Sequence, residues 1–454
     1  MRRALVVPLL LLLAAPAAFA REPVPATLPA EPAVLRLSVD DAVERATLAS
    51  PSLARLAALQ AAALAEARSA RADRFPKLEL AAGYTRRSQV PELAIVTPSD
   101  NPAEPARRIV VFPNIQDNWR LRAGLALPLY TGGRTSRQIA AANHGREAAS
   151  EDLRAGRAHL VLETKSAYWS LVTARESERV LLEALRAYDA HLQDAQNRER
   201  FGMAARNEVL AVEVERDRAE LERLGAEADA AAAGANLQRL LALDPATRVE
   251  PAEPLAAPAV PLPEIEPLVA EAQAGRAERK ALAARVAAAD AAFGAERGAR
   301  LPQLELHGGW SYANPNREIV PPTADWKDTW DLGLGLSWSV FDGGKRSASE
   351  ARTRAQADAA RAELHELDRS IRFEITERVL ELRTAQARLV VTERSVLSAA
   401  ESRRVAADRY REGVIPSSEL LDAELAHERA ALSRTQALAA LRLVAASLDR
   451  AVGR

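Results

Sequence analysis

The sequence predicts a mainly α fold with a small β part: duplicated long-helix hairpins forming an α-helical barrel, plus four β-strands per chain contributing to a shared 12-stranded transmembrane β-barrel in a trimer. Three observations carry this expectation. Of 454 residues, 48% are apolar but only 4% aromatic, and Gly 20 and Pro 26 are few, the profile of long helices packed closely together. The chain also repeats itself at a near-constant offset, and four segments alternate apolar with small or polar residues.

The order along the chain begins with an address. Arg2 and Arg3 precede the apolar run Ala4 to Leu13, and Ala18-Phe19-Ala20 supplies a small-x-small cleavage pattern, so residues 1–20 read as a cleaved signal peptide. The run is too short to span a bilayer and is interrupted by Pro8 and Pro16. Beyond residue 20 no uncharged apolar stretch reaches 18 residues, so membrane insertion of the mature chain requires a barrel. Residues 21–37 form a Pro-rich linker.

Two repeats follow, 38–244 and 264–454, joined by the Pro-rich stretch 245–263. Arg74-Phe-Pro-Lys-Leu-Glu-Leu80 recurs as Arg300-Leu-Pro-Gln-Leu-Glu-Leu306 at offset 226, and Tyr130-Thr-Gly-Gly-Arg134 recurs as Phe341-Asp-Gly-Gly-Lys345 at offset 211. The difference of 15 residues belongs to one loop of the first repeat. In each repeat a helix pair comes first; Ser38 with Asp41 reads as a capping box and Ser50-Pro51 as the break between the two helices. Strands are expected at about 77–87, 118–130, 303–312 and 329–341. After each Gly-Gly pair a helix of roughly 68 residues, about 100 Å, runs to Gly202 or Gly413, and a return helix closes the repeat. Leu153, Leu160, Ala167, Ala174, Leu181, Tyr188 and Ala195 keep a seven-residue spacing, as do Ile375, Leu382, Leu389 and Val396, which calls for partner helices along the whole length.

The strands carry the membrane signal. Trp330, Leu332, Leu334, Leu336, Trp338 and Val340 alternate with Asp331, Gly333, Gly335, Ser337 and Ser339, placing an apolar face opposite a small and polar one. Trp330 and Trp338 are eight residues apart, about 26 Å of strand, which matches the ~25 Å apolar band of outer-membrane barrels with its aromatic girdles. Trp119 and Trp310 extend the lipid-facing girdle. Four strands cannot close a barrel. Eight give a filled interior, so the smallest assembly with an open lumen is three chains.

Other chemistries are excluded by what is missing. Lys+Arg 61 against Asp+Glu 62 leaves a net charge of −1 and no field for nucleic acid. Zero Cys removes disulfides, thiolate metal sites, cysteine nucleophiles and a cysteine lipid anchor. The six histidines are scattered, so no metal site is expected. Gly343-Gly344-Lys345 fails as a phosphate loop because Arg346 follows the lysine. No enzyme motif is present and no cofactor is expected.

This order of elements, the Tyr/Phe-x-Gly-Gly-Arg/Lys junctions and the tip sequence Tyr410-Arg-Glu-Gly413-Val-Ile-Pro-Ser-Ser-Glu419-Leu-Leu-Asp422-Ala423 resemble the TolC-like outer-membrane efflux proteins over residues 38 to 450. The resemblance implies a homotrimer in the outer membrane with its helical barrel in the periplasm. It implies an exit duct of a tripartite efflux or type I secretion system, reached through a periplasmic adaptor (membrane fusion) protein and an inner-membrane RND or ABC-type pump. It also implies a periplasmic gate: Glu419 and Asp422 as an acidic ring, and Tyr410 with Glu208 as a tie between neighbouring tip helices, with Ile415 where relatives carry an Arg. The hairpin tips Gly202-Met203-Ala204-Ala205 and Gly413-Val414-Ile415-Pro416-Ser417 become adaptor-docking residues. On the sequence alone, Glu419 and Asp422 are also ordinary first-turn acids of a helix, and the tips are also simple interhelical turns. The alternatives are a periplasmic adaptor or coiled-coil structural protein and, more weakly, a secreted helical enzyme. An adaptor carries one hairpin, whereas this chain carries two equivalent sets.

Overall fold

The computed structural model describes residues 34–97 and 106–454; the expected signal peptide and most of the first linker lie outside the described residues. After strand β1 (Val34–Leu37) come helices α1 (Val39–Ala49) and α2 (Pro51–Ala72), then strands β2 (Lys77–Arg86), β3 (Leu93–Thr97), β4 (Arg107–Phe112) and β5 (Asp117–Tyr130). Helix α3 (Arg134–Arg200) and its return helix α4 (Arg206–Leu240) complete the first repeat, and strand β6 (Arg248–Pro251) leads into the second. There α5 (Ile265–Gly275) and α6 (Ala277–Gly298) precede strands β7 (Gln303–Asn314) and β8 (Lys327–Ser337), and α7 (Lys345–Arg411) and α8 (Ser417–Val452) close the chain.

The local signals act as their chemistry requires. The Ser38 hydroxyl accepts from the Asp41 N–H at 3.1 Å while the Asp41 carboxylate accepts from the Ser38 N–H, a reciprocal cap that starts α1. Ser50 ends α1 and caps α2, whose first residue is Pro51. Gly132, Gly133, Gly343 and Gly344 all have positive φ, so the chain turns sharply into each long helix after β5 and β8. Gly132 is further constrained because a side chain there would collide with the carbonyl oxygen of Gly298 at the end of α6.

Helices α3 and α7 are each 67 residues, about 100 Å, and run from the sheet to the hairpin tips. Near the strands, α3 packs against α2 and α6, and α6 packs against α7; toward the tips, α3 packs against α4 and α8, and α8 against α7. The result is one layer, four helices wide. Its edges are α2 with α4 on one side and α7 on the other. The heptad line on α3 is buried at Leu160, Ala167, Leu181, Tyr188 and Ala195, and that on α7 at Ile375, Leu382 and Leu389. Burying each large aliphatic side chain contributes ~1.5–3 kcal/mol.

Three features depart from the sequence expectation. The Pro-rich linkers are not structureless: β1 and β6 pair in parallel, Leu35 opposite Val249, and the ribbon is pinned to α3. The Tyr168 hydroxyl donates to the Leu37 carbonyl at 3.1 Å and accepts from the Glu253 N–H at 3.2 Å, while Arg175 donates to the Val249 carbonyl at 2.7 Å. Their four-residue length hides such strands from any periodicity test. The extra length of the first repeat's loop holds a hairpin, β3 against β4. In addition, β8 ends at Ser337 instead of running to 341, because Asp342 and Arg346 pair at 2.7 Å and fold the strand end into the Gly-Gly turn.

Tyr168→Phe leaves the Glu253 N–H without a partner in a half-buried site, so we expect a loss of about 1–2 kcal/mol, read as a lower thermal midpoint with unchanged helix content. Wild-type stability in the variant would show that the ribbon is held without this hydroxyl.

Candidate functional site

Two regions collect the candidate functional residues: one face of the sheet, and the hairpin tips about 100 Å away along α3 and α7.

The sheet has the order β2-β5-β7-β8, all antiparallel, with β5 and β7 joining the two repeats. Its register stacks residues of one kind. Leu80, Ala123, Trp310 and Trp330 lie in one row across the four strands, and Leu78, Leu125, Gly308 and Leu332 in the next on the same face. This apolar face is uncovered in the single chain: Leu80 is 77% exposed, Leu336 71% and Trp330 75%. Aromatic rings gather at the end far from the helices, where Tyr84 meets Trp119 at 4.4 Å and Tyr312 stacks on Trp326 at 4.8 Å. Trp310 lies opposite Trp330, and Trp119 lies opposite Asn314, four residues farther out along β7. Trp338 lies just past β8 at the helix end, exposed, with its indole N–H donating to the Arg300 carbonyl at 3.1 Å. The opposite face carries Glu79, Arg120, Arg122, His307, Thr329 and Asp331 among glycines and alanines.

At the tips, the two hairpins have the same turn. Gly202 and Gly413 have positive φ, and the residues after them, Met203 and Val414, donate N–H to the carbonyls of Arg198 and Arg409 at 2.8 and 2.9 Å. Met203 and Val414 are exposed, as are Ala205 and Pro416; Ala204 and Ile415 are half-buried, and Ser417 is buried. Glu419 and Asp422 are exposed on the same face of α8 and line a groove with Glu401, Val405 and Arg409. Arg409 is a cation that the sequence reading did not count among these acids.

Tyr410 is buried, 4% exposed, and its hydroxyl has no hydrogen-bond partner among the described residues. Glu208, in the first turn of α4, does not bond it. The phenol ring instead meets His191 edge-on at 5.0 Å, and the Arg198 guanidinium lies 4.3 Å above it. Burial pushes the Tyr410 hydroxyl above its ordinary pKa, against the opposing charge of Arg198.

Sequence reasoning missed the residues around Tyr410. His191 Nδ1 lies 3.0 Å from Glu424 Oε2, and Nε2 lies 3.0 Å from Ser417 Oγ, with all three side chains buried. A carboxylate only accepts, so Nδ1 carries a hydrogen. Arg198 also donates to the Arg411 carbonyl at 3.1 Å. Together these bonds fasten α3 to α7 and α8 at the tip. One turn deeper, Glu428 is 4% exposed beside Tyr188, Glu222 and Arg218. Burial, then the Glu222 charge, raises its pKa. A histidine on a heptad core face was the available signal, but partners more than 200 residues away leave no local spacing to read. Among the described residues no three His, Asp or Glu side chains converge in metal-binding geometry.

The family model described as outer membrane efflux protein matches residues 42–243 and 268–454, most of both repeats. The chain belongs to this family of outer-membrane efflux channels. Protein CyaE of Bordetella pertussis is 28% identical over 442 residues, covering 94% of this chain and 89% of that protein. The solved outer-membrane channel OprN superposes with a TM-score of 0.77 at 24% identity, covering 91% of this chain and 89% of that one. The outer membrane protein VceC of Vibrio cholerae does so at 0.76 and 21%, covering 91% and 96%. The adaptor alternative finds no support, because the family match spans both repeats.

Glu428 titrates with a raised pKa, so the fold favours its neutral form. Its contribution to stability is present below the ordinary carboxyl range and is lost as pH rises through the raised value. Glu428→Gln stays neutral throughout. Hydrogen exchange of α8 amides should therefore slow in the variant at pH 8 and match wild type at pH 4; equal exchange at both pH values would show that Glu428 is not desolvated.

Proposed function

We propose that this chain is the exit duct of a tripartite efflux or type I secretion system, closed as a homotrimer. A periplasmic adaptor and an inner-membrane RND or ABC-type pump deliver the cargo, and the duct passes it outward without catalysis. The observation that carries this reading is that the sheet and the helix layer are open at the same two edges. β2 and β8 have no strand on their outer sides among the described residues. The matching helix edges hold uncovered apolar stripes: Leu210, Val214 and Leu221 on α4, and Phe373, Leu380 and Leu397 on α7, the last 72% exposed. Closing three copies edge to edge pairs β8 with β2 of the next chain and covers both stripes. Twelve strands then enclose a lumen, and the apolar face of the sheet meets lipid.

In that assembly the tips of α3, α4, α7 and α8 form the periplasmic end. Glu419 and Asp422 project from each copy toward the groove shared with Arg409, so the ring is acidic but partly offset. The unpartnered Tyr410 hydroxyl and Glu208 form the tie between neighbouring tip helices, and the exposed turn residues Met203 and Val414 meet the adaptor.

Leu334→Arg places a cation in lipid at ~2–4 kcal/mol per copy near the midplane, and should abolish the heat-modifiable trimer band on gels. Ser337→Arg on the other face should leave that band intact. Equal damage from both would reverse the face assignment.

Glu419→Ala with Asp422→Ala removes the acids and leaves Arg409. In a planar bilayer under a salt gradient we expect a cation-selective wild type and a reversal potential that shifts toward anion selectivity in the variant. An unchanged reversal potential would place the selective constriction elsewhere.

A further inference from the structure

The sheet register sorts the charges on the polar face into rows. The charged row farthest from the helices holds Arg120 on β5 and Lys327 on β8, with Gly83 and Ala313 between and beside them. The next row holds Arg122 with Ala81, Ser311 and Thr329. In the third row the sign reverses, to Glu79 and Asp331.

Arg317, in the loop between β7 and β8, extends the cationic end. Its Nε donates to Asn118 Oδ1 at 2.9 Å and its Nη2 to the Ile115 carbonyl at 3.3 Å, bonds that hold the guanidinium in place without neutralising it. Burial, followed by the charges of Arg87 and Arg120, holds the Arg317 pKa below its ordinary value. Like charges have thus been brought together. Glu318, the next residue in sequence, accepts from the Thr329 hydroxyl. Arg87, Arg120, Arg122, Arg317 and Lys327 make no ion pair among the described residues, although Arg86 and Arg108 at the same end pair with Asp117 and Glu92. Along the helices, arginines are tied to carboxylates turn after turn, as with Arg179, Arg223 and Arg404. Five uncompensated cations in one region therefore stand apart from the way this chain treats arginine elsewhere.

We propose that these five residues form an anion-binding belt at the outer end of the lumen, which recognises carboxylate or phosphate groups on the departing cargo. The assignment rests on the channel reading above, since only closure of the sheet turns its polar face into a lumen wall. Guanidinium groups pair with carboxylate and phosphate in two parallel hydrogen bonds, and Arg120 and Arg122 are two residues apart on one strand, about 7 Å. That spacing suits successive anionic groups on one molecule. Three copies surround the lumen with fifteen cations, and low-dielectric walls concentrate their field. The belt is opposite in sign to the acids at the periplasmic tips.

The test is block of single-channel current by oligoglutamate, tripolyphosphate or oligolysine added on the side facing the strands. Wild type should be blocked by at least one of the two anions and not by oligolysine; which anion blocks separates carboxylate from phosphate recognition. Arg120→Ser with Arg122→Ser and Lys327→Ser should raise the half-blocking concentration by about tenfold or more. Asp331→Asn, which removes an opposing charge, should lower it, a gain that misfolding does not produce. No anion block of an open wild-type pore, or equal block of the triple variant, would overturn the belt. A wild type that forms no pore at all would overturn the channel reading and the belt with it.

Discussion

An unpaired backbone N–H or C=O in hydrocarbon costs several kcal/mol, and this single constraint sets the architecture. The outer sides of β2 and β8 present such groups along 10 and 11 residues. Neither edge has a partner strand among the described residues, and four strands are too few to curl round and meet. In the proposed assembly, copies of the chain supply the pairing. The left-handed glycines at 132–133 and 343–344 pass this requirement on to the helices, because they turn the short connections after β5 and β8 into α3 and α7. The edge of the sheet thereby continues as the edge of the helix layer.

Charge is managed differently at the two ends of the molecule. Along the helix surfaces, arginines and carboxylates three or four residues apart neutralise one another, each pair adding only a few tenths of a kcal/mol. Toward the tips the bonding turns inward: His191, Ser417, Glu424 and Arg198 join α3 to its neighbours within one chain, leaving Glu419 and Asp422 free on the surface. At the strand end, Arg120 and Arg122 remain unpaired beside apolar and small neighbours. Bonds inside the protomer hold its shape, and in the proposed channel the charges left over face the path.

Long-range order was legible in the sequence because it rests on repetition. The seven-residue lines from Leu153 to Ala195 and from Ile375 to Val396, the paired Gly-Gly junctions and the alternating strands each recur often enough to outweigh local ambiguity. What escaped notice depends on contacts between distant residues or on very short segments. β1 and β6 are four residues each and gain meaning only by pairing across 214 positions. His191 reads as one core residue among many until Ser417 and Glu424 are folded against it. Arg409 beside the two acids, and the rows formed by Arg120 with Lys327, follow from helix packing and strand register, which composition does not encode. The end of β8 is overrun by the sequence pattern because alternation continues past the point where Arg346 and Asp342 bend the chain.

The absence of cysteine allows the central claim to be tested directly. Within one chain β2 and β8 are three strand spacings apart, about 14 Å, too far for a disulfide. Single cysteines at Leu78, Leu80 or Ala82 combined in pairs with ones at Leu332, Leu334 or Leu336 therefore report only contacts between chains. Oxidation in intact outer membranes should give, for at least one pair in register, a ladder of two and three linked chains that stops at three. No crosslink in any pair, or a ladder that ends at two or continues past three, would contradict closure of the barrel by three copies.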